Sequence, residues 1–556
     1  MQDVPPLSSF ANRQSYASGA VKEPLLGLTY GQLVDIQAER LGDRVFITDR
    51  PAGKSVTFRG FKERVDLVGK SLIALGVKKG DRVAMLGMNS ADWVLMQFAA
   101  PTIGAIFCNL NAAFPQEQLA RMIAHCDPAV IFSQQSYSRS AYFDMLRAIH
   151  TDPTHSARSR TLVAMEGEGS ADGLLAWDDF IALGTKTDSA TLEQRKAEVD
   201  PDDVNIMCYT GGTSGVLKGA LRTHNSVVNA PRRTTLIAGL NETSVVCTSF
   251  LYFHTAGMNG GTTLAMVSGA RLVVASKSFD ADAVLAAFYE EGVTHYSGVP
   301  TMLKILLDHP AFDGSKLKLR TVTTGAAGCP PELMLRTRRE MGVDLCVAYG
   351  GTEPGTLCMT GPGDPEEKQI STVGRMAQYV ELKIIEPETG QIVPRGMSGE
   401  VCSRSISGLR GYYNAPELTA SVLDAHGWYH SGDLGVMDDE GYLRIIGRID
   451  DMIIRGGENI QPIDVENLLK TWPGVHDVNV VAVPDITYGQ EVCAWMIMDG
   501  PLDEPALRAF CKQKLAYYQV PRFIFAIDAF PQTGVGKVDR NALRRLAEDR
   551  AKAMPG

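Results

Sequence analysis

From about residue 30 to about residue 350, short runs rich in β-branched and apolar residues alternate with longer segments of helical periodicity. The β-rich runs include 82–86, 129–132, 204–209, 245–249, 271–275 and 321–324. Nearly continuous apolar strands need cover on both faces, and strands separated by helical segments pair in parallel. The alternation therefore restricts this part of the chain to parallel sheets covered by helices. In such sheets ligands collect in the loops beyond the carboxyl ends of the strands, so any chemistry is to be sought there.

At 556 residues the chain has room for three or four folding units. Hydrophobic residues make up 45% and charged residues 21%, which excludes a disordered chain. The formal charge of -10 excludes a global positive field for nucleic acid or an anionic membrane surface. Ten cysteines run from Cys108 to Cys511 without a C-x-x-C pair, several inside apolar strand-like runs. They read as reduced, buried residues rather than a disulfide frame or zinc site. The first residues hold no apolar core of signal-peptide length, and Met554, Pro555 and Gly556 do not spell a peroxisomal address. The apolar stretch 93–114 is broken by Gln97, Pro101 and Asn109, so it reads as a helix and then a strand, not a membrane span. A cytoplasmic location is expected.

Segment 166–173 reads as an exposed loop and 188–203 as a polar connector. After about residue 380 the strands shorten and the turns tighten, with a hairpin turn expected at Asp438, Asp439, Glu440 and Gly441. Beyond Arg448, helical 465–471, β-rich 478–483 and helical 505–516 make a small α+β unit. The expected fold is α/β: a large N-terminal domain of helix-covered sheets with a β-rich subdomain, then a small α+β C-terminal domain.

Four segments carry the candidate chemistry. The run 209–219, Tyr-Thr-Gly-Gly-Thr-Ser-Gly-Val-Leu-Lys-Gly, follows an apolar strand and precedes an expected helix. Its glycines let backbone N–H groups approach a polyanion, Thr210, Thr213 and Ser214 offer hydroxyls, and Lys218 adds charge. It has neither the Walker A nor the G-x-G-x-x-G spacing, and taken alone it is equally a glycine-rich surface turn. The second segment, Tyr349-Gly350-Gly351-Thr352-Glu353, follows an apolar strand and offers an aromatic ring, a hydroxyl and a carboxylate for a magnesium ion. In the third, Asp433 follows Tyr429-His430-Ser431-Gly432 and leads to Arg448; a lone carboxylate there suits the two hydroxyls of a ribose, or a turn. The fourth, 531–540, holds Lys537 on a glycine-bordered loop.

In this order and at these distances the four segments resemble the adenylate-forming superfamily of acyl-CoA synthetases, nonribosomal adenylation domains and luciferases. The resemblance covers nearly the whole chain, from Leu28-Thr29-Tyr30-Gly31 through Gly80-Asp81-Arg82-Val83 to Gln519-Val520-Pro521-Arg522. It implies an AMP-binding N-terminal domain over 1–449 and a mobile C-terminal domain over 450–556, with a hinge near Asp450. It further implies that Thr210, Gly211, Gly212, Thr213, Ser214, Gly215 and Lys218 cradle the ATP phosphates, while Thr352 bonds a phosphate and Glu353 holds Mg²⁺. Gly325, Ala326, Ala327 and Tyr349 would line the adenine pocket, and Asp433 and Arg448 would hold the ribose. Lys537 would act on the reacting carboxylate and the α-phosphate, and Gly456 and Gly457 would admit coenzyme A after the hinge turns. His254, Gly350 and Gly351 would border the acyl pocket, with His254 counted among the catalytic residues beside Lys537, Glu353 and Thr352. Gly211, Ser214, Leu217 and Met376 depart from the usual serine, threonine, proline and proline of the family.

The activity implied is an ATP-dependent carboxylic acid:CoA ligase that forms an acyl-adenylate and then an acyl-CoA thioester. Acetate-specific relatives carry a tryptophan where this chain has Gly350, so a larger acid is expected; apolar Phe250, Leu251, Met258 and Val299 suit a medium-chain fatty or aryl acid. The expected partners are the acid, ATP and coenzyme A, with no nucleic acid and no membrane span, and a homodimer is compatible. Two other readings stand beside this one: a stand-alone adenylation enzyme loading a carrier protein, and a catalytically inactive nucleotide-binding sensor.

Overall fold

The computed structural model describes residues 13–19, 21, 23–137, 140–152, 161–166, 173–210, 217–456, 458–532 and 538–553. Two large sheets form the body of the N-terminal part. The first runs Leu174–Ala176, Thr161–Ala164, Val130–Ser133, Arg82–Leu86, Ile106–Leu110, Val204–Thr210, Lys218–Thr223 and Gly411–Tyr412. It is parallel as far as Val204–Thr210, and its last two strands are antiparallel. The second runs Arg375–Met376, Gly355–Met359, Leu345–Gly351, Thr321–Gly325, His295–Ser297, Val245–Thr248, Arg271–Val274, Val45–Asp49 and Lys54–Thr57. Its six central strands, from Leu345–Gly351 to Val45–Asp49, are parallel, and its edges are antiparallel. The alternation in the sequence thus becomes two helix-covered sheets.

Helix Ala91–Thr102 is buried continuously from Trp93 to Thr102, as an apolar helix without a polar face must be. Its one amide, Gln97, is satisfied inside: Nε2 donates to Thr263 Oγ1 at 2.8 Å, and Oε1 accepts from the Thr262 hydroxyl at 2.6 Å. The strand Ile106–Leu110 follows, as expected. Among the described residues no helix is long and apolar enough to cross a membrane. Segment 188–203 departs from the expected connector: Ser189–Ala197 is a helix, anchored by Leu192, which is 2% exposed. A single buried leucine in a polar stretch carries too little periodic signal to be read as a helix.

A third, antiparallel sheet joins Tyr16–Ser18, Val380–Ile385, Ser398–Ser405, Tyr429–Met437 and Leu443–Arg448. The expected hairpin turn is present, with Asp438 Oδ1 accepting from the N–H groups of Glu440 and Tyr442. From Arg448 the chain passes through one tight turn, Ile449–Asp451, into a fourth sheet of Glu458–Ile460, Ile453–Arg455, Gly489–Met498, Val475–Asp485 and Phe523–Ala526. Helices Pro462–Leu469 and Glu504–Lys514 pack in its core cluster. The turn is tied to the C-terminal helix Arg540–Ala553, since Arg544 Nη2 lies 2.9 Å from Asp451 Oδ1 and 3.3 Å from the Asp450 carbonyl.

Candidate functional site

Lys218 and Glu353 lie at the ends of strands in the two large sheets, and Tyr349 reaches Asp433 of the third. Strand Val204–Thr210 ends at the glycine-rich run, but the element that follows is a strand, Lys218–Thr223, paired back in register as Tyr209↔Gly219 and Thr210↔Lys218. The expected helix comes later, at His224–Ile237. Beyond residue 216 the chain thus enters a strand and not a helix, and Lys218 at the start of that strand supplies a positive charge. The error arose because the run Gly219–Thr223 is too short to show a period before the helix begins. Gly211, Gly212, Thr213, Ser214 and Gly215 lie outside the described residues.

Strand Leu345–Gly351 and strand Gly355–Met359 form a second hairpin whose connection is Thr352, Glu353 and Pro354. Gly355 takes the left-handed φ of +73° that closes such a three-residue connection. Glu353 is thus presented at a hairpin tip. A Cβ on Gly350 would stand 2.0 Å from the Gly355 carbonyl oxygen. Glycine at 350 is consequently demanded by the hairpin itself, whatever the size of the acid.

Side-chain contacts tie these tips together. The Tyr412 hydroxyl donates to Glu353 Oε1 at 2.9 Å, and Lys218 Nζ sits 5.9 Å from the centre of the Tyr412 ring. The Thr352 and Thr255 hydroxyls lie 2.9 Å apart, and Thr255 follows His254, whose ring packs 4.5 Å from that of Phe253. Lys218, Tyr412, Glu353, Thr352, Thr255 and His254 therefore form one contiguous line across the ends of both sheets. The π-helical turn Met258–Thr262 begins four residues beyond His254, and the Met258 N–H donates to the His254 carbonyl at 3.3 Å. Burial, followed by the Glu353 charge, pushes the Tyr412 hydroxyl far above its ordinary range, so it remains a donor.

The third sheet supplies a second set. Asp433 and Arg448 face each other in register, with Arg448 Nε 3.2 Å from Asp433 Oδ1. The Tyr349 hydroxyl donates to Asp433 Oδ2 at 2.7 Å. Burial first, and then the Asp433 charge, hold that hydroxyl well above its usual pKa. Glu400 fixes the backbone around Asp433: Oε1 accepts from the Gly432 N–H at 3.1 Å and Oε2 lies 3.0 Å from His430 Nδ1. Ser431 adds a 2.6 Å hydrogen bond to the Val401 carbonyl. Gly325 pairs with Ala348 beside Tyr349, and Ala326 follows in the left-handed region at φ 64°, a strained conformation for a side chain-bearing residue. Ala326 and Ala327 are exposed.

Tyr412, Thr255 and Glu400 were absent from the candidates read in sequence. They meet Glu353, Thr352 and Gly432 across separations of 59, 97 and 32 residues, which no local pattern reveals. Gly456 has φ +60° and donates its N–H to the Tyr488 carbonyl at 2.8 Å. Arg455 beside it makes a two-pronged ion pair with buried Glu491, at 2.6 and 2.9 Å. Asp450 is exposed. Gly457 and Lys537 lie outside the described residues.

One carboxylate with neighbouring hydroxyls suits a hard divalent cation that keeps several waters and takes its other oxygens from phosphates. Glu353 and Thr352 fit that donor chemistry, because Tyr412 occupies Oε1 through a neutral donor that orients the carboxylate without pairing its charge.

Asp433→Ala would take the carboxylate acceptor from the half-buried Tyr349 hydroxyl, at an expected cost of about 1–2 kcal/mol of folding stability. Asp433→Asn keeps an acceptor and should lie within about 1 kcal/mol of the parent. Urea denaturation of the two variants checks this; equal stability of Asp433→Ala and the parent would contradict it.

A model of the AMP-binding enzyme family matches residues 34–413, and one of the AMP-binding enzyme C-terminal domain matches 464–537. The mitochondrial medium-chain acyl-CoA ligase ACSF2 of Danio rerio is 33% identical over 96% of this chain and 91% of its own. The acyl-CoA ligase sidI of Aspergillus fumigatus is 32% identical over 96% of this chain and 93% of its own. The crystal structure of the anthranilate CoA ligase AuaEII with anthranoyl-AMP matches with a TM-score of 0.82 at 24% identity, covering 96% of this chain and 99% of that one.

Proposed function

Because the chain belongs to the AMP-binding enzyme family, we propose that it is an ATP-dependent carboxylic acid:CoA ligase acting on a medium-chain fatty or aryl acid. One observation carries the reading furthest. Two sets of groups suited to opposite ends of ATP are held by residues four apart: Tyr349 on Asp433 at 2.7 Å, and Glu353 under Tyr412 at 2.9 Å.

In this reading Tyr349 stacks on the adenine, and Asp433, oriented by Arg448 and by the Glu400 contacts, accepts the ribose hydroxyls. Lys218 and the glycine-rich run before it are assigned the β- and γ-phosphates, and Glu353 and Thr352 are assigned Mg²⁺. The ion, when bound, neutralises charge on the phosphates as they separate. A carboxylate oxygen of the acid attacks the α-phosphorus, the bond to the β-phosphate bridging oxygen breaks, and pyrophosphate leaves. Lys537 is assigned the charge that gathers on the α-phosphate. The coenzyme A thiol then loses its proton and attacks the acyl carbon, and AMP leaves with the former carboxylate oxygen. Residues 450–556, turning at Asp450, would exchange Lys537 for Gly456 and Gly457 between the two steps.

ACSF2 is named for medium-chain acids, and the apolar Phe250, Leu251, Met258 and Val299 support an acid of that size or an aryl acid here. The ten cysteines are all unpaired, which supports a reducing compartment such as the cytoplasm. The test is a panel of carboxylic acids assayed for exchange of labelled pyrophosphate into ATP, and for AMP release with and without coenzyme A. Exchange with C6–C12 or aryl acids, and AMP release stimulated by coenzyme A, are expected. Exchange with no acid would sink the ligase reading; exchange without any stimulation by coenzyme A would transfer it to a carrier-protein acceptor.

A further inference from the structure

Arg222 lies on the strand Lys218–Thr223, four residues beyond Lys218, and the roles assigned above leave it unused. Its side chain is wholly buried. Nε donates to Ser226 Oγ at 3.0 Å and Nη2 to the Ser407 carbonyl at 2.9 Å, whereas Nη1 meets no hydrogen-bond acceptor among the described residues. Among those residues no carboxylate lies within 4.0 Å of it, and both of its partners are neutral. Burial lowers its pKa; the neighbouring Cys208 and Tyr30, and after them the Glu353 carboxylate, oppose that shift.

Its position is defined by Gly355. A Cβ there would stand 3.4 Å from Arg222 Nη2 and 2.8 Å from Ser407 Cβ. The guanidinium is thus packed beneath the turn that presents Glu353, and against the segment that runs from Ser407 to Tyr412, whose hydroxyl holds Glu353. A buried cation without an ion pair is a standing cost to the free protein, and exchanging such a group for an apolar side chain of similar volume is often neutral or stabilising. The cost is offset when an anion arrives nearby. Lys218, on the same strand as Arg222, and Glu353 are the residues to which the phosphates and their cation are assigned above.

Resting on the reading of this site as an ATP site, we propose that Arg222 is the buried counter-charge of the nucleotide phosphates and the post that positions the Glu353 turn. It is a positioning residue. Its field acts through a low-dielectric interior, where it is screened far less than a surface charge, and its geometry acts through Ser407 and Gly355.

The experiment compares the full-length parent with Arg222→Met and Arg222→Lys by calorimetric titration with MgATP and, separately, with adenosine, and by thermal unfolding without ligand. Arg222→Met should weaken MgATP about tenfold and leave adenosine within about twofold, while Arg222→Lys stays within about threefold for both. The ligand-free Arg222→Met protein should unfold at or above the parent's temperature, and MgATP should raise that temperature less than it does for the parent. Should the methionine variant fail to fold, Arg222→Gln carries the same comparison. An Arg222→Met protein that binds MgATP as tightly as the parent, or that loses MgATP and adenosine equally, would overturn the proposal. A parent that binds MgATP but gives exchange with no acid refutes the ligase reading, and the binding comparison still decides Arg222. A parent that does not bind MgATP refutes both.

Discussion

Glu353→Gln is expected to lower kcat/KM for MgATP by about 100–1000-fold in the pyrophosphate exchange assay while the protein stays folded. The substitution is isosteric, and the amide oxygen still accepts the Tyr412 hydroxyl that Oε1 now holds at 2.9 Å, so the hairpin tip keeps its place. What disappears is the negative charge, and an amide is a far poorer ligand than a carboxylate for a hard divalent cation. Raising Mg²⁺ should recover part of the loss. Tyr412→Phe is the matching control: it removes the orienting donor and leaves the charge, so a loss of about 3–10-fold is expected. A Glu353→Gln protein within threefold of the parent would reduce Glu353 to a turn residue.

Lys537→Ala is expected to slow the first half-reaction by about 100–1000-fold and to leave thioester formation from a preformed acyl-adenylate within about threefold. The asymmetry follows from chemistry. In the first step charge gathers on the pentacoordinate α-phosphate, which is assigned to Lys537; in the second it gathers on the tetrahedral carbon and then on the departing AMP, after the assigned turn at Asp450 has withdrawn Lys537. Lys537 lies outside the described residues, but the residues that flank 533–537 are joined. Gln532 and Val538 bridge, and the Asp539 N–H donates to the Pro531 carbonyl at 2.7 Å. Arg540 is then held by Glu466 at 2.7 Å and by the Val480 carbonyl at 3.0 Å. Single-turnover rates of each half-reaction, measured separately, check this prediction. Equal slowing of both steps would show that Lys537 supports the domain and not the chemistry.

The strand-and-helix alternation was legible because the six runs read in sequence are rich in apolar and β-branched residues, and each became a strand within one residue of its expected ends, as with Val204–Thr210 and Thr321–Gly325. Helix Ser189–Ala197 was not legible, since a single buried leucine, Leu192, anchors it. Glu353, Asp433 and Lys218 were legible because glycines and turn residues mark the hairpins that carry them. Their partners were not. Nothing around Tyr412 or Arg222 distinguishes a tyrosine that orients a carboxylate, or an arginine buried without an ion pair, from ordinary strand residues.

The sequence by itself determined the sheet class, the order of the four chemical segments and the residue types each presents, since these follow from periodicity, turn chemistry and local composition. Only the tertiary structure decided that strand Lys218–Thr223 pairs back on strand Val204–Thr210, that Gly350 is demanded by the Gly355 carbonyl, and that Tyr412 and Arg222 converge on the Glu353 turn. Those facts depend on contacts between segments tens to hundreds of residues apart, and the packing of two sheets and a third against their edges is what brings such segments within hydrogen-bonding distance.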